Sequence, residues 1–193
     1  MPATIPPKNG IVPQERDLAL IRALAEDFRI LTREQIEELI PRGSSRRVNF
    51  RLKQLREAGY LAFRPLPTIG PASTGGYFLG PRAAELFDPS EKGAVAAIRD
   101  QAAKLAASGL EHRMLVDSIH IRFRGAFRNH PDCKLFTWID QYSDWWTELR
   151  RYGVPVQADA YAEYLIFFGG SSGKFVGKLI RFRPVAGRFG RTD

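Results

Sequence analysis

The sequence has little of the chemistry that marks zinc-binding or disulfide-bonded proteins. Among its 193 residues there is one cysteine, Cys133, which rules out an intramolecular disulfide and a cysteine-based zinc cluster. No apolar run is long enough to span a bilayer, and no signal-peptide pattern opens the chain. We therefore expect a cytoplasmic protein with no membrane partner.

Motifs that mark several common enzyme classes are also absent. There is no glycine-rich phosphate loop followed by Lys and Ser or Thr, no pair of metal-binding histidines and no nucleophile elbow. These absences argue against nucleotide hydrolysis, zinc chemistry and serine hydrolysis. We expect no cofactor.

Positive charge is abundant and unevenly placed. The chain carries a formal net charge of +8, which favours a polyanionic partner. Residues 15–41 have four basic and seven acidic groups, a net of −3, whereas residues 42–64 have seven basic groups and one acid, a net of +6. A nonspecific basic coat would not concentrate its charge in this way, so the pattern favours directed contact with DNA.

The positive segment is predicted to be a basic helix, GSSRRVNFRLKQLREAG, at residues 43–59. Val48, Leu52 and Leu55 recur on one helical face and should pack inward, and Gly59 is typical of a helix end. A helix with a cationic outer face suits the major groove of DNA, and a solvated surface helix is the alternative. The candidate DNA-binding residues of this segment are Arg42, Ser44, Ser45, Arg46, Arg47, Asn49, Phe50, Arg51 and Lys53.

The neighbouring segments predict a winged helix-turn-helix. A helix over Glu15–Asp27 precedes a second one that opens with the capping-box pattern Thr32-Arg33-Glu34-Gln35 and runs to Ile40. The basic helix follows as the third, in the position that reads DNA. Strands at 60–66 and 77–79 then enclose a Pro, Gly, Ser and Thr-rich wing, where Arg64, Ser73 and Thr74 are candidate phosphate contacts.

The rest of the chain predicts a second module. We expect a flexible arm at 1–14, the winged helix at 15–88, a linker helix at 89–109, an α/β module at 110–183 and a basic tail at 184–193. The helix Lys92–Ser108 is interpreted as a linker, a dimer contact or a cover for the winged helix. In the module we predict a helix over Leu110–Asn129, strands at 134–139, 154–160, 164–168 and 174–182, and a helix at 143–152. The face of the long helix would contain His112, Val116, Ile119, Phe123 and Phe127.

The assembled pattern resembles the replication-relaxation family of plasmid and mobile-element proteins. The matching stretches are RDLALIRALAEDFRILTREQI, RLKQLREAGYL, GGYFLGPRAAELF, LEHRMLVDSIHI, QADAY and KLIRF, which run from about Arg16 to Phe182. The resemblance implies an α+β protein with an N-terminal winged helix for DNA. It also implies a small α/β module similar to a degenerate PD-(D/E)xK restriction-endonuclease-like core, with roles in plasmid replication or mobilisation.

A working nuclease of that type would need a metal site. The resemblance places its first aspartate at Asp159 and its lysine at Lys178. The strand between them, Tyr164–Phe168, has no carboxylate, and Glu163 precedes it. One aspartate and one lysine are a poor set of ligands for magnesium, so we predict a module that binds no metal and is not an enzyme.

Three functions stay open on the sequence. The first is a noncatalytic protein that binds double-stranded DNA in replication, mobilisation or transcriptional control. The second is a metal-dependent nuclease completed by Glu163 together with Asp159 and Lys178. The third is an adaptor whose aromatic C-terminal module binds another protein. Homodimerisation is open in each case.

Overall fold

The computed structural model describes residues 11–40, 44–65, 75–105, 107–129, 133–140, 160–168 and 172–180. Within them the chain forms five α-helices, a 3-10 helix and six strands. The helices are α1 (Glu15–Glu26), α2 (Arg33–Leu39), α3 (Ser45–Glu57), α4 (Lys92–Lys104) and α5 (Ala107–Asn129), with the 3-10 helix at Ala83–Leu86. The strands are β1 (Leu31–Thr32), β2 (Leu61–Pro65), β3 (Gly75–Leu79), β4 (Cys133–Asp140), β5 (Ala160–Phe168) and β6 (Ser172–Ile180).

The chain divides into two compact units, one ending at Ile121 and the other beginning at Arg122. Helices and small antiparallel sheets occur together, which confirms the predicted α+β class. The predicted boundaries of the functional domains stay predictions. No helix in the described part of the chain is long and apolar enough to cross a membrane.

Local capping interactions set the starts of α1 and α2. Before α1, the backbone N–H of Gln14 donates to a carboxylate oxygen of Asp17 over 2.7 Å. At α2, the backbone N–H of Gln35 donates to Thr32 Oγ1, and the N–H of Thr32 donates to Gln35 Oε1, over 3.2 and 2.8 Å. Each cap satisfies amide groups that the first helical turn leaves without a partner. The predicted capping box is confirmed.

Helix α3 packs through the predicted apolar face. Leu52 and Leu55 are buried, and Val48 packs against the same core from a half-buried position. The helix gives way to a turn at Gly59, whose φ of 81° lies in the left-handed region that glycine adopts without strain. A Cβ on Gly80 would lie 2.3 Å from the carbonyl oxygen of Gly59, so this close approach also requires glycine. The predicted phase and end of the helix are confirmed.

Arg82 holds the junction after α3 in place. Its guanidinium donates to the carbonyl oxygen of Ala58 over 3.1 Å and to the hydroxyl of Tyr60 over 3.3 Å. It also forms an ion pair of 2.9 Å with Glu85, and this hydrogen-bonded partner raises the pKa of Arg82. These contacts fix the direction in which the chain leaves α3 and enters β2.

The first sheet has the strand order β1-β3-β2, and both pairings are antiparallel. In the β2–β3 hairpin, Leu61 pairs with Leu79 and Phe63 pairs with Tyr77. The predicted hairpin is confirmed, although β3 begins at Gly75, two residues before the predicted start. The loop between these strands, residues 66–74, lies outside the described residues.

The predicted helix Lys92–Ser108 is corrected by the structure, because α4 ends at Lys104 and α5 begins at Ala107. Leu105 has φ −55° and ψ 130°, an extended conformation that stops the helix. Helix α4 contacts α1, β3 and the 3-10 helix. Of the three interpretations of this segment, these contacts favour a helix that covers the elements predicted to form the winged helix.

Gln35 connects the start of α2 to α5. Its side-chain Nε2 donates to the carbonyl oxygen of Met114 over 2.7 Å and to Ser118 Oγ over 2.8 Å. The side chain is buried, and its amide oxygen is used by the cap at Thr32. A buried amide with both ends hydrogen-bonded fixes its neighbours in one arrangement.

The second unit contains an antiparallel sheet of order β4-β5-β6. The predicted break between strands 154–160 and 164–168 is wrong, because β5 runs without interruption from Ala160 to Phe168. Ala162 pairs with Trp138 of β4 and Lys178 of β6, and Glu163 pairs with Thr137 and Gly177. The pairing of β5 with both neighbouring strands therefore continues through Ala162 and Glu163. The predicted helix at 143–152 and the residues 154–159 lie outside the described residues.

Candidate nucleic-acid interface

The outer face of α3 is polar, cationic and exposed. Arg46, Arg47, Asn49 and Lys53 are exposed, and Phe50 has 63% of its surface exposed between them. The opposite face is fixed in the core by Leu52 and Leu55. Burial of one face determines which side chains the other presents, so the helix displays this set of residues in one orientation.

Two of these cations are free of competing partners within the residues that the structure describes. There, neither Arg46 nor Arg47 forms a side-chain hydrogen bond or ion pair. Lys53 lies 3.7 Å from Glu57, but both side chains are more than half exposed, so this pair contributes little and can open at small cost. All three cations are therefore available to an external anion.

The serines at the start of α3 occupy different environments. Both are exposed, and Ser44 is the N-cap residue. The hydroxyl of Ser45 donates to Glu37 over 3.1 Å, which connects the start of α3 to α2. Ser44 makes no side-chain cap hydrogen bond, so its hydroxyl remains available.

Arg51 does not share this exposed position. Its guanidinium forms an ion pair with Asp17 of α1, with Arg51 Nη2 2.5 Å and Nε 3.0 Å from the carboxylate. The side chain is 15% exposed and its partner 3%. Arg51 also donates to the carbonyl oxygen of Val12 and to the side chain of Gln54. Because each nitrogen of its guanidinium has a partner within the protein, Arg51 fixes α3 against α1, and a DNA contact by Arg51 stays a prediction.

A shallow groove lies between the start of α1 and the outer face of α3, with a volume of about 530 Å³. It is lined by Gln14, Arg16, Ser44, Arg46, Arg47, Phe50, Arg51 and Gln54. Arg16 was not predicted as a site residue, because it lies between Glu15 and Asp17 in a segment of net negative charge. Its position next to the first turn of α3 becomes visible only when the two helices are packed together.

Two further arginines lie near the hairpin. Arg64, predicted as a phosphate contact of the wing, is half-buried and donates to the carbonyl oxygens of Ala103 and Leu105 at the end of α4. The guanidinium of Arg56 lies 5.8 Å from the ring centre of Phe63. Arg64 thus serves the packing of α4, while Arg56 remains exposed on the last turn of α3. The remaining predicted contacts, Arg42, Ser73 and Thr74, lie outside the described residues.

Comparison with models of known protein families gives one match for this chain. The replication-relaxation family matches residues 22–176, from within α1 to within β6, which is more than half of the sequence. The chain belongs to the replication-relaxation family. No curated protein and no solved structure matches this replication-relaxation protein.

The residues that a nuclease would use in this replication-relaxation protein lie in the second unit. Asp159 is outside the described residues. Glu163, predicted to precede a strand, lies within β5 and pairs with Gly177, while Lys178 pairs with Ala162. Glu163 and Lys178 therefore lie on neighbouring strands but are not paired, since each is one residue away from the pairing partner of the other. In the ranges that the structure describes, no three His, Cys, Asp or Glu residues form a group that could hold a metal ion.

Proposed function

We propose that this replication-relaxation protein binds double-stranded DNA through the outer face of α3. The observation that carries the proposal is a helix with one face locked in the core and the other presenting Arg46, Arg47 and Lys53 to solvent. Family membership supports a role in replication or in the biology of mobile elements. Within that role, the protein acts in replication, mobilisation or transcriptional control.

The order of elements supports a winged-helix arrangement for this contact. Helices α1, α2 and α3 are followed by the β2–β3 hairpin, and β1 pairs with β3 to complete the sheet. In such domains the third helix enters the major groove, which is about 12 Å wide and admits one helix.

The exposed side chains of this surface have different roles in the proposal. Arg16, Arg46 and Arg47 line one groove and are placed to contact phosphates from two helices. Ser44 adds a hydroxyl at the start of α3, where backbone amides also favour an anion. Asn49 has the amide donor and acceptor that suit the major-groove edge of adenine. The phosphate contacts supply affinity and register, while Asn49 contributes to sequence preference.

The core interactions prepare α3 for binding. Leu52 and Leu55 fix its rotation, and the Arg51–Asp17 pair fixes its position against α1. A helix that is ordered before it meets DNA loses little additional conformational entropy on binding. The ion pair between Asp17 and Arg51 therefore contributes to affinity through positioning.

The test compares the wild type with a variant in which Arg46, Arg47 and Lys53 are all replaced by Ala. Affinity for duplex DNA is measured by fluorescence anisotropy over a range of salt concentrations. Each lost phosphate contact should make the slope of log affinity against log salt shallower by about 0.9, so three lost contacts give about 2.7. Affinity at low salt should fall as well.

A control with the same loss of charge separates α3 from the overall charge of the protein. Replacing Arg22, Arg99 and Lys104 by Ala also lowers the net charge from +8 to +5, but at positions on α1 and α4. This control should retain most of the wild-type slope. Equal effects of the two triple variants, with both proteins folded, would show that α3 is not the binding element.

We further propose that the protein binds DNA without cleaving it. The motivating observation is that Tyr164–Phe168 contains no carboxylate where a metal-dependent nuclease needs one. Supercoiled plasmid incubated with the protein in magnesium or manganese should stay intact. Nicking that disappears in both Asp159→Ala and Lys178→Ala would overturn this proposal and make Glu163 the third member of a metal site.

A further inference from the structure

Phe50 is an exposed aromatic residue at the centre of the proposed interface. At about 100° per residue, it lies almost opposite the stripe formed by Val48, Leu52 and Leu55, and 63% of its surface is exposed. Among the phenylalanines whose exposure the structure describes, the others are buried or half-buried: Phe28, Phe63, Phe78, Phe87 and Phe123. Among these phenylalanines, Phe50 is thus the one with an exposed ring.

The side chains around Phe50 restrict what can cover it. Arg46 lies one turn before it and Lys53 one turn after it, and Asn49 is its neighbour in sequence. All three are exposed and two carry positive charge. Core regions of protein interfaces are depleted of lysine and of charge in general, whereas a polyanion is attracted to such a surface. The surroundings therefore favour a nucleic acid as the partner of the ring.

The floor of the DNA major groove offers one apolar group, the C5-methyl of thymine. A side chain at the middle of the outer face of a helix in that groove can reach the base edges. We propose that Phe50 determines specificity by packing its ring against a thymine methyl group. This inference rests on the proposed binding of duplex DNA by α3, and it identifies a base that the protein prefers.

The proposal is tested with duplexes in which thymine is replaced by deoxyuracil. This change removes the C5-methyl and leaves the base pairing intact. Sequences bound by the wild type are first selected from a random duplex library, and each thymine in the selected site is then replaced in turn. At one position the loss of the methyl should weaken wild-type binding about fourfold, the factor that corresponds to burying one methylene-sized group.

Variants at Phe50 connect that penalty to the ring. Phe50→Ala should bind the thymine duplex more weakly and should not distinguish thymine from deoxyuracil at that position. Phe50→Leu, which keeps an apolar side chain, should retain part of the distinction. Leu115→Ala, which removes an exposed leucine from α5, should behave as the wild type does. Since Phe50 is exposed, circular dichroism should show that its variants remain folded.

Several results would overturn the inference. The first is a selected DNA site that shows no preference for thymine. The second is a wild-type protein whose affinity does not change when any thymine is replaced by deoxyuracil. The third is a loss of affinity on that replacement that is equally large in Phe50→Ala. Light scattering that shows Phe50→Ala to dissociate a dimer would instead assign the ring to contact between copies. The proposed binding of DNA by α3 is tested independently, by the affinity and salt dependence of the triple variant of Arg46, Arg47 and Lys53. That result does not depend on how the wild type responds to deoxyuracil.

Discussion

Replacing Leu55 by Ala should lower the free energy of unfolding by roughly 2–5 kcal/mol, the range for truncating a buried leucine. Leu55 is 1% exposed and packs in the core shared by α1, α2 and α3. Its loss removes apolar contact and leaves a cavity beneath the helix that we propose binds DNA. Because total stabilities of about 5–15 kcal/mol are typical, the effect should be large.

Far-UV circular dichroism during urea denaturation is the suitable measurement, because the helices give its signal. The three tryptophans, at 138, 145 and 146, all belong to the second unit and would report on it instead. Leu115→Ala provides the matched control, since Leu115 is 48% exposed and its truncation should change stability by about 0.5 kcal/mol or less. Equal stability of Leu55→Ala and the wild type would show that the assigned phase of α3 is wrong.

The second large effect is expected at the ion pair between Arg113 and Asp117 on α5. Their side chains are 1% and 0% exposed, and Arg113 Nε lies 2.9 Å from Asp117 Oδ1. Arg113 also donates to the carbonyl oxygen of Asp27 over 3.1 Å. Arg113→Ala removes this cation from beside a fully buried carboxylate, which should cost roughly 3–5 kcal/mol in stability.

Two further variants show whether burial causes that cost. Arg99→Ala removes one partner of the more exposed Arg99–Asp100 pair and should change stability by about 1 kcal/mol or less. Replacing Arg113 by Met and Asp117 by Leu together removes both charges and should recover much of the loss. The same urea transition serves for all of them. If Arg113→Ala were as stable as Arg99→Ala, the conclusion that a buried ion pair at Arg113 and Asp117 stabilises the fold would be wrong.

Features set by neighbouring residues in sequence were predictable. The capping box at Thr32 and Gln35, the inward face of α3 and the turn at Gly59 each depend on residues within one or two helical turns. The hairpin followed from the change of hydrophobic period after Gly59. Such signals need no knowledge of the rest of the fold.

Features set by distant partners were not predictable. Arg51 resembles the other arginines of α3, but its partner Asp17 is 34 residues away in sequence. Arg113 and Asp117 are charged types that are almost never fully buried unless paired, so the sequence placed neither on the inner face of α5. The break predicted between the strands at 154–160 and 164–168 contains Ala162 and Glu163, two types that are depleted in strands, yet pairing on both sides of β5 overrides that preference.

The groove beside α3 illustrates the same limit at the site. The exposed positions of Arg46 and Lys53, away from the apolar stripe of α3, follow from helical phase alone. Arg16 was not predicted, because only the packing of α1 beside α3 places it in the same groove. At Arg64 the sequence predicted a phosphate contact, but the guanidinium donates to the carbonyl oxygens of Ala103 and Leu105, which are 39 and 41 residues away in sequence.

The most direct test of the central claim, that α3 faces duplex DNA, is photocrosslinking from its outer face. A photoreactive phenylalanine analogue is placed at position 50 in one full-length protein and at position 115 in another, both exposed positions. Each is mixed with labelled duplex at moderate salt and irradiated. We expect a covalent DNA adduct from position 50 and little or none from position 115. An adduct from position 115 with none from position 50 would contradict the account.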